Sequence, residues 1–236
     1  MYGSDLAAFH AKHGIELARE AATTLVDELA EASLHHGLVA DVGCGDGTLS
    51  KLLWDAGYDV LAIDPSESFL EMVAERLPEA QLILSTAARM RLPAGLVAIA
   101  AVGEVLSYDL RIDLDETLER FHTALRPGGI VLLDLPGRGR HATAPLVVEE
   151  HDEALLVMRT AETSYRLQRD ITLFTEEPDG RHRRTTEIHE LRLYDAGDVR
   201  TSLSRAGFVA IRQLERYGAV GPELHDGWAG FIAERR

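Results

Sequence analysis

This chain of 236 residues predicts an α/β fold, doubly wound around a mostly parallel sheet and carrying an inserted antiparallel β lid. Three observations predict it. Up to residue 135, apolar runs of strand length alternate with segments of helical periodicity. Those runs are apolar on both faces, which calls for a parallel sheet covered by helices on both sides. Beyond residue 150 apolar and polar residues alternate singly, the pattern of antiparallel strands with one wet face.

The elements follow in order. Residues 4–35 read as mainly helical: Leu6, Phe9 and His10 precede a break at Gly14, and Leu17, Ala21, Leu25, Leu29 and Ala32 then repeat at helical spacing. The apolar run at 38–42 ends in glycines and reads as a buried strand. Leu49, Leu52 and Leu53 mark the next helix, which stops near Gly57, and 60–63 is a second strand ending at Asp64. Ser66 is the expected N-cap of a helix carrying Phe69, Leu70 and Val73, which ends before Pro78. Residues 82–84 and 96–102 give strands three and four. Asp113 and Glu116 make a capping pair for a helix over 114–125. The Arg-Pro-Gly-Gly stretch at 126–129 reads as a turn before a fifth strand at 130–135. Over 154–194, Leu167, Arg169, Ile171 and Leu173 lie on one strand and Ile188, Glu190, Arg192 and Tyr194 on another. Glu177, Pro178, Asp179 and Gly180 form the hairpin turn between them. Asp195 caps a helix over 197–206, and strands near 208–216 and 228–234 close the chain. The expected organisation is a helical cap at 1–36, a ligand-binding core at 37–135, a β insert at 136–194, and a segment at 195–236 that completes the core sheet.

Composition narrows the function. Hydrophobic residues at 46% and charged residues at 27% suit a globular protein. No apolar stretch is long enough to span a membrane, and the start shows no basic segment followed by an apolar run, so a cytoplasmic location is expected. The single cysteine, Cys44, excludes an internal disulfide and a thiolate metal site. A net charge of −15 argues against non-specific binding to nucleic acid. The basic run at 181–184 reads as a solvated hairpin turn.

The chemistry centres on the turn at 41–47, between a predicted strand and a predicted helix. Gly43, Gly45 and Gly47 allow a sharp turn and close approach of a ligand to the backbone. The helix start offers unpaired N–H groups, and ligands of open parallel sheets bind beyond the carboxyl ends of the strands. Asp64 ends the next strand, 17 residues past Gly47. A carboxylate there can accept hydrogen bonds from both ribose hydroxyls of an adenosine. The nicotinamide fingerprint Gly-x-Gly-x-x-Gly is not met, because the third glycine comes one residue early and position 48 is Thr. With Asp41 at the strand end, the spacing instead resembles the class I S-adenosylmethionine (SAM) dependent methyltransferases. Residues 60–66 resemble the family's ribose-binding strand end, 102–106 its fourth-strand opening, and 125–129 its turn before strand five. The resemblance covers residues 38–135.

That resemblance implies a seven-stranded Rossmann-like sheet, SAM as cofactor and S-adenosyl-L-homocysteine as product. It places Gly43, Cys44 and Gly45 against the methionine part of SAM, with Asp41 anchoring that region and Cys44 a small filler of the turn. Asp64 is expected on the ribose and Pro65 beside the adenine. Ala87, Ala88 and Arg89 fall where the third-strand loop meets the adenine. Many family members carry an acidic residue just before that point, where this chain has Ser85 and Thr86. Val102 and Gly103 are expected to present backbone near the sulfonium. No metal is implied.

The reaction implied is an in-line displacement by an O or N lone pair of a small-molecule acceptor. Candidate bases and orienting groups are Tyr2 and His10 in the first helix, Glu104 and Tyr108 after strand four, and His189 on the insert with Arg169 on the partner strand. Each has a plainer reading: His10 as a helix-surface residue, Tyr108 as packing under the lid, His189 and Arg169 as a cross-strand pair. Glu104 is favoured, because a carboxylate just after a buried apolar strand is costly unless partnered. The lid residues Arg138, Arg140, His141, Arg169 and His189 suit an anionic or polar acceptor, whereas Glu104 and the acidic field suit a cationic amine; both stay open. Competing readings are an RNA or protein methyltransferase, which lacks a basic stripe and an Asn/Asp-Pro-Pro-Tyr motif here, and a non-catalytic SAM-binding regulatory module. A nucleotide-cofactor oxidoreductase is opposed by the glycine spacing.

Overall fold

Two sheets organise the chain, and the computed structural model describes residues 3–138, 146–217, 224 and 227–236. Helices α1 (Ser4–His13) and α2 (Ile15–Glu31) part at Gly14. β1 (Leu38–Val42), α3 (Thr48–Asp55), β2 (Asp59–Asp64), α4 (Glu67–Arg76) and β3 (Gln81–Leu84) follow. Next come β4 (Leu96–Ala101), α5 (Leu114–Ala124) and β5 (Leu125–Pro136). The insert contributes β6 (Leu146–His151), β7 (Ala154–Glu162), β8 (Arg166–Glu176) and β9 (His182–Arg192). Helix α6 (Ala196–Ala206), β10 (Phe208–Leu214) and β11 (Trp228–Arg235) complete the order.

The core sheet has seven strands in the order β10-β11-β5-β4-β1-β2-β3. β1 to β5 run parallel, and β11 lies antiparallel between β5 and β10. All six residues of β4 are buried. Ile99 and Ala101 face a cluster holding Leu118 and Phe121 of α5 and Val199 and Leu203 of α6. Ala98 and Ala100 face a cluster holding Leu25 and Leu29 of α2, Leu49 and Leu53 of α3 and Val73 of α4. Helices on both faces are why this strand has no polar side. The reversal of strand order between β1 and β4 opens a crevice at their carboxyl ends, where open α/β sheets bind ligands.

The insert forms a separate antiparallel sheet, β6-β7-β8-β9. Helix α1 buries Leu6 against Leu156, Ile171 and Leu173 of that sheet, whereas α2 buries its Ala21, Ala22, Leu25 and Leu29 stripe on the core. Asp113 accepts from Glu116 N–H at 3.1 Å and Asp195 from Gly197 N–H at 2.9 Å, the caps their sequence positions predict.

Three local expectations need correction. Residues 126–129 are not a free turn but belong to β5, which kinks where its register on β4 shifts between Leu96 and Ala98. Pro127 cannot donate to the ladder and Gly128 takes φ +76°, so the strand bulges there and resumes. Ser66 holds the N-cap position of α4 but makes no side-chain capping bond; Asp64 accepts from the Ser66 N–H instead, at 2.8 Å. Strand β6 was not expected, because Leu-Val-Val-Glu-Glu-His has no alternation; as an edge strand it leaves Leu146 and Val148 exposed. Among the described residues no helix is long and apolar enough to cross a membrane.

Candidate functional site

A cavity of about 480 Å³ opens at the carboxyl ends of β1, β2 and β4, within the range typical of small-ligand sites. Its floor is the glycine turn. The Gly43 and Cys44 N–H groups donate to the Ile63 carbonyl at 2.7 and 3.1 Å, pinning the turn to β2. Gly43 has φ +73°, and a Cβ there would lie 1.9 Å from Val105 Cγ2, so only glycine fits. A Cβ on Gly45 or Gly103 would meet nothing within 4 Å; both backbones line open cavity that a ligand can fill.

Three carboxylates set the electrostatics of this half. Asp64 accepts from Ser66 N–H with Oδ1 and from Gly45 N–H at 3.1 Å with Oδ2, and burial raises its pKa. Each oxygen keeps a second lone pair, enough for two ribose hydroxyls. Asp46 accepts from Thr48 N–H, the Thr48 hydroxyl and, at 2.8 Å, Arg76; it ties the helix start together. Asp41 is buried and accepts from the Ser50 hydroxyl at 2.7 Å. Burial raises its pKa from 3.8 to about 7, against the pull of that hydroxyl.

The Asp41 shift has a measurable consequence. A folded pKa above the unfolded one means stability that is complete below pH 3.8 and is lost as pH climbs to about 7. Asp41→Asn removes that loss. Urea unfolding of both proteins should show the variant gaining on the parent between pH 4 and about 7, with a constant difference above.

The other half of the cavity brings together residues far apart in sequence. Glu104 sits in the left-handed region, φ +62°, at the start of a short 3-10 turn (Val105–Ser107). Its carboxylate meets Arg169 of β8 at 2.8 Å, with both side chains almost wholly buried. Arg169 also donates to the Tyr108 hydroxyl at 3.3 Å. His10 of α1 lines the same cavity, edge-on to Phe69, and burial holds its imidazole below the usual pKa despite the opposing Asp46 and Glu149 charges. Met158 of β7 and Trp228 of β11 add apolar wall.

Of the residues singled out from sequence, Asp41, Gly43, Cys44, Gly45, Asp64, Pro65, Ala87, Val102, Gly103, Glu104, Tyr108, His10 and Arg169 line this one cavity. Cys44 is buried, and burial with three nearby aspartates pushes its thiol pKa up, which agrees with a filler and not a nucleophile. Ala88 does not line the cavity; it packs against the core cluster beneath α5, because the chain has turned inward by that residue. Arg138 is exposed and stacks on the Tyr165 ring at 5.5 Å, outside the cavity. His189 is also outside it: it stands directly opposite Arg169 on β9, behind Tyr108 and bonded to Glu187. Arg169 is no peripheral lid residue, since it reaches through the insert to Glu104. Tyr2, Arg140 and His141 lie outside the described residues.

Sequence reasoning missed Asp134. This fully buried carboxylate on β5 accepts from Gly103 N–H at 3.0 Å, Glu104 N–H at 2.5 Å and the Tyr217 hydroxyl at 2.7 Å. It holds the loop after β4 in shape. The signal was available: one charge inside the apolar run 130–135 demands partners. Phe69, Met158 and Trp228 carried no comparable signal.

The methyltransferase domain family matches residues 39–129. The Bacillus subtilis protein YqeM, named as a methyltransferase, is 26% identical over 200 residues that cover 80% of this chain and 79% of its own. A SAM-dependent methyltransferase from Clostridium acetobutylicum superposes with a TM-score of 0.83 at 16% identity, covering 98% of this chain and 97% of that one. The sugar N-methyltransferase KedS8 from Streptoalloteichus superposes with a TM-score of 0.77 at 17% identity, covering 100% and 96%. At those identities the two superpositions establish the fold. Asp64, the open backbone at Gly45 and Gly103, and the apolar faces of Leu49, Phe69 and Ala87 fit a SAM molecule.

Proposed function

Because the chain belongs to the class I SAM-dependent methyltransferase family, we propose that it methylates an amine nitrogen of a small polar molecule. One observation carries the choice of acceptor. Both arginines lining the cavity face carboxylates, Arg111 against Asp109 at 2.8 Å and Arg169 against Glu104 at 2.8 Å. An anionic acceptor finds each of those positive charges already answered, which leaves an uncharged acceptor, such as a neutral amine, the better fit. The whole-chain likeness to a sugar N-methyltransferase supports the same class.

SAM supplies a methyl group already activated on a positive sulfur. The chain's own residues bind and orient. Asp64 would hold the ribose, Asp41 would anchor the methionine end, and the Val102 and Gly103 backbone would border the transferred methyl. Glu104, paired with Arg169, and Tyr108 form the polar wall that orients the acceptor nitrogen. An ammonium must lose its proton before its lone pair can attack. His10 lines the cavity, and its imidazole is a group on that wall able to receive it.

The reading is tested in two stages. Calorimetry should show binding of S-adenosylhomocysteine and none of NAD. Asp64→Ala should weaken that binding by about 100-fold, the worth of two charge-assisted hydrogen bonds. Mass spectrometry of SAM reactions with panels of amino sugars, alkyl amines, alcohols and carboxylic acids should then find methylated amines. Methylated acids or alcohols alone would overturn the acceptor class, and homocysteine-cofactor binding with no methylated product would favour a regulatory module.

A further inference from the structure

Helix α1 is tied to the insert along its whole length. Asp5 pairs with Arg183 of β9 at 3.1 Å, Lys12 pairs with Glu153, and the His13 ring stacks on His151 at 3.7 Å. At the helix start, Gly3 N–H donates to Glu187 Oε1 at 3.0 Å. The other oxygen of the same carboxylate lies 2.8 Å from His189 Nε2. A carboxylate only accepts, so Nε2 carries the proton. His189 in turn stands edge-on to the Tyr108 ring, centroids 5.6 Å apart, and Tyr108 lines the cavity. Glu187 thus touches the start of α1 with one oxygen and the support of Tyr108 with the other.

We propose that Glu187 is a positioning residue that makes the seating of α1 and the placement of Tyr108 one event, so that the cavity is completed only when the helix carrying His10 is docked. The two bonds reinforce one another. When Gly3 is docked, the carboxylate is fixed and His189 is held upright behind Tyr108. When Gly3 leaves, Glu187 gains rotamer freedom on a partly exposed strand and its hold on His189 loosens. The coupling gives the site an order of assembly: α1 over the cavity first, the acceptor wall set with it. The catalytic meaning of this rests on the reading of Tyr108 as an acceptor-side residue; the coupling itself does not.

The experiment uses the full chain saturated with S-adenosylhomocysteine and labelled with 3-fluorotyrosine. The Tyr108 fluorine resonance is assigned by its loss in Tyr108→Phe. Two variants break the two ends of the link. Glu187→Leu accepts from neither donor, whereas Gln could keep both contacts by donating its NH2 to the other His189 tautomer. Gly3→Pro removes the N–H at a φ of −75° that suits proline; because a Cβ at Gly3 would lie 3.0 Å from Glu187 Oε1, Gly3→Ala, which keeps the N–H, is the steric control and should leave both readouts near the parent. Hydrogen exchange over residues 4–13 should speed up about tenfold in each link-breaking variant, as for loss of one charge-assisted bond, with residues 38–64 unchanged. The Tyr108 resonance should shift in both, Gly3→Pro included, through the link that Glu187 and His189 form between Gly3 and Tyr108. An unmoved Tyr108 signal in Gly3→Pro with faster exchange in α1 would overturn the coupling and leave Glu187 as a simple tether. Unchanged exchange in both variants would overturn it as well. Should the site transfer no methyl group, calorimetry and product analysis report that separately.

Discussion

Replacing Arg169 by Met should destabilise the protein by about 3–5 kcal/mol, because Glu104 would be left buried without its countercharge. The Coulomb energy of the pair is not what is being lost. Taking two charges out of water costs several kcal/mol each, and their attraction at 2.8 Å roughly offsets this. Removing one partner removes the offset and keeps the desolvation. Glu104→Gln strands the Arg169 charge in turn, but Gln can still accept from Arg169 and the Tyr108 hydroxyl stays beside the guanidinium, so it should cost less. The double variant Glu104→Gln with Arg169→Met should recover much of the Arg169→Met loss. Urea unfolding of the four proteins gives the coupling energy directly, and additive effects would show that the pair does not interact as described. S-adenosylhomocysteine affinity should stay within about twofold in Glu104→Gln, because the Asp64 end of the cavity is unaltered. Methylation of any amine found by screening should fall sharply.

Asp134→Ala should be comparably severe, at about 3–6 kcal/mol. It strands the Gly103 and Glu104 N–H groups and the Tyr217 hydroxyl, each worth about 1–3 kcal/mol when buried without an acceptor. Asp134→Asn keeps one accepting oxygen and should lose about half as much. The Ala variant should also lose catalysis out of proportion to stability. The two amides are what hold Glu104 at φ +62°, a conformation that costs a non-glycine residue about 1–2 kcal/mol. Freed of them, Glu104 can relax and its carboxylate no longer meets Arg169. Thermal unfolding together with methylation at a temperature where the variant is folded separates the two effects. Full activity in folded Asp134→Ala would show that the loop needs no such support.

Periodicity and glycine placement made the cofactor half legible, because β1, the turn, α3 and β2 are contiguous and each local signal refers to its neighbour. Asp64 could be placed beside the turn from spacing alone, since a strand of fixed length brings its end to the same edge as the turn. The acceptor half has no such property. Glu104 was singled out on the cost of burying its charge, and it does lie on the cavity; its partner Arg169 is 65 positions away on another sheet. Nothing in a one-dimensional pattern distinguishes Arg169, which crosses to the core, from Arg138, which stays in solvent. His189 shows the same limit: register opposite Arg169 could be guessed, but not that Tyr108 stands between it and the cavity. β6 and the kink in β5 were lost for a local reason, since an edge strand needs no alternation and a Pro-Gly-Gly sequence reads as a turn even when strand pairing continues through it.

The antiparallel seat of β11 between β5 and β10 bears on how the chain is made. β5 is complete once residue 136 has been synthesised, but its outer edge is covered only by residues 228–235. At ribosomal rates that edge waits for roughly 5–20 s. During the wait it offers unpaired backbone beside Ile130, Val131, Leu132 and Leu133, a template on which another nascent chain can pair. The antiparallel return of β11 thus makes the last residues of the chain the guard of a strand laid down long before them.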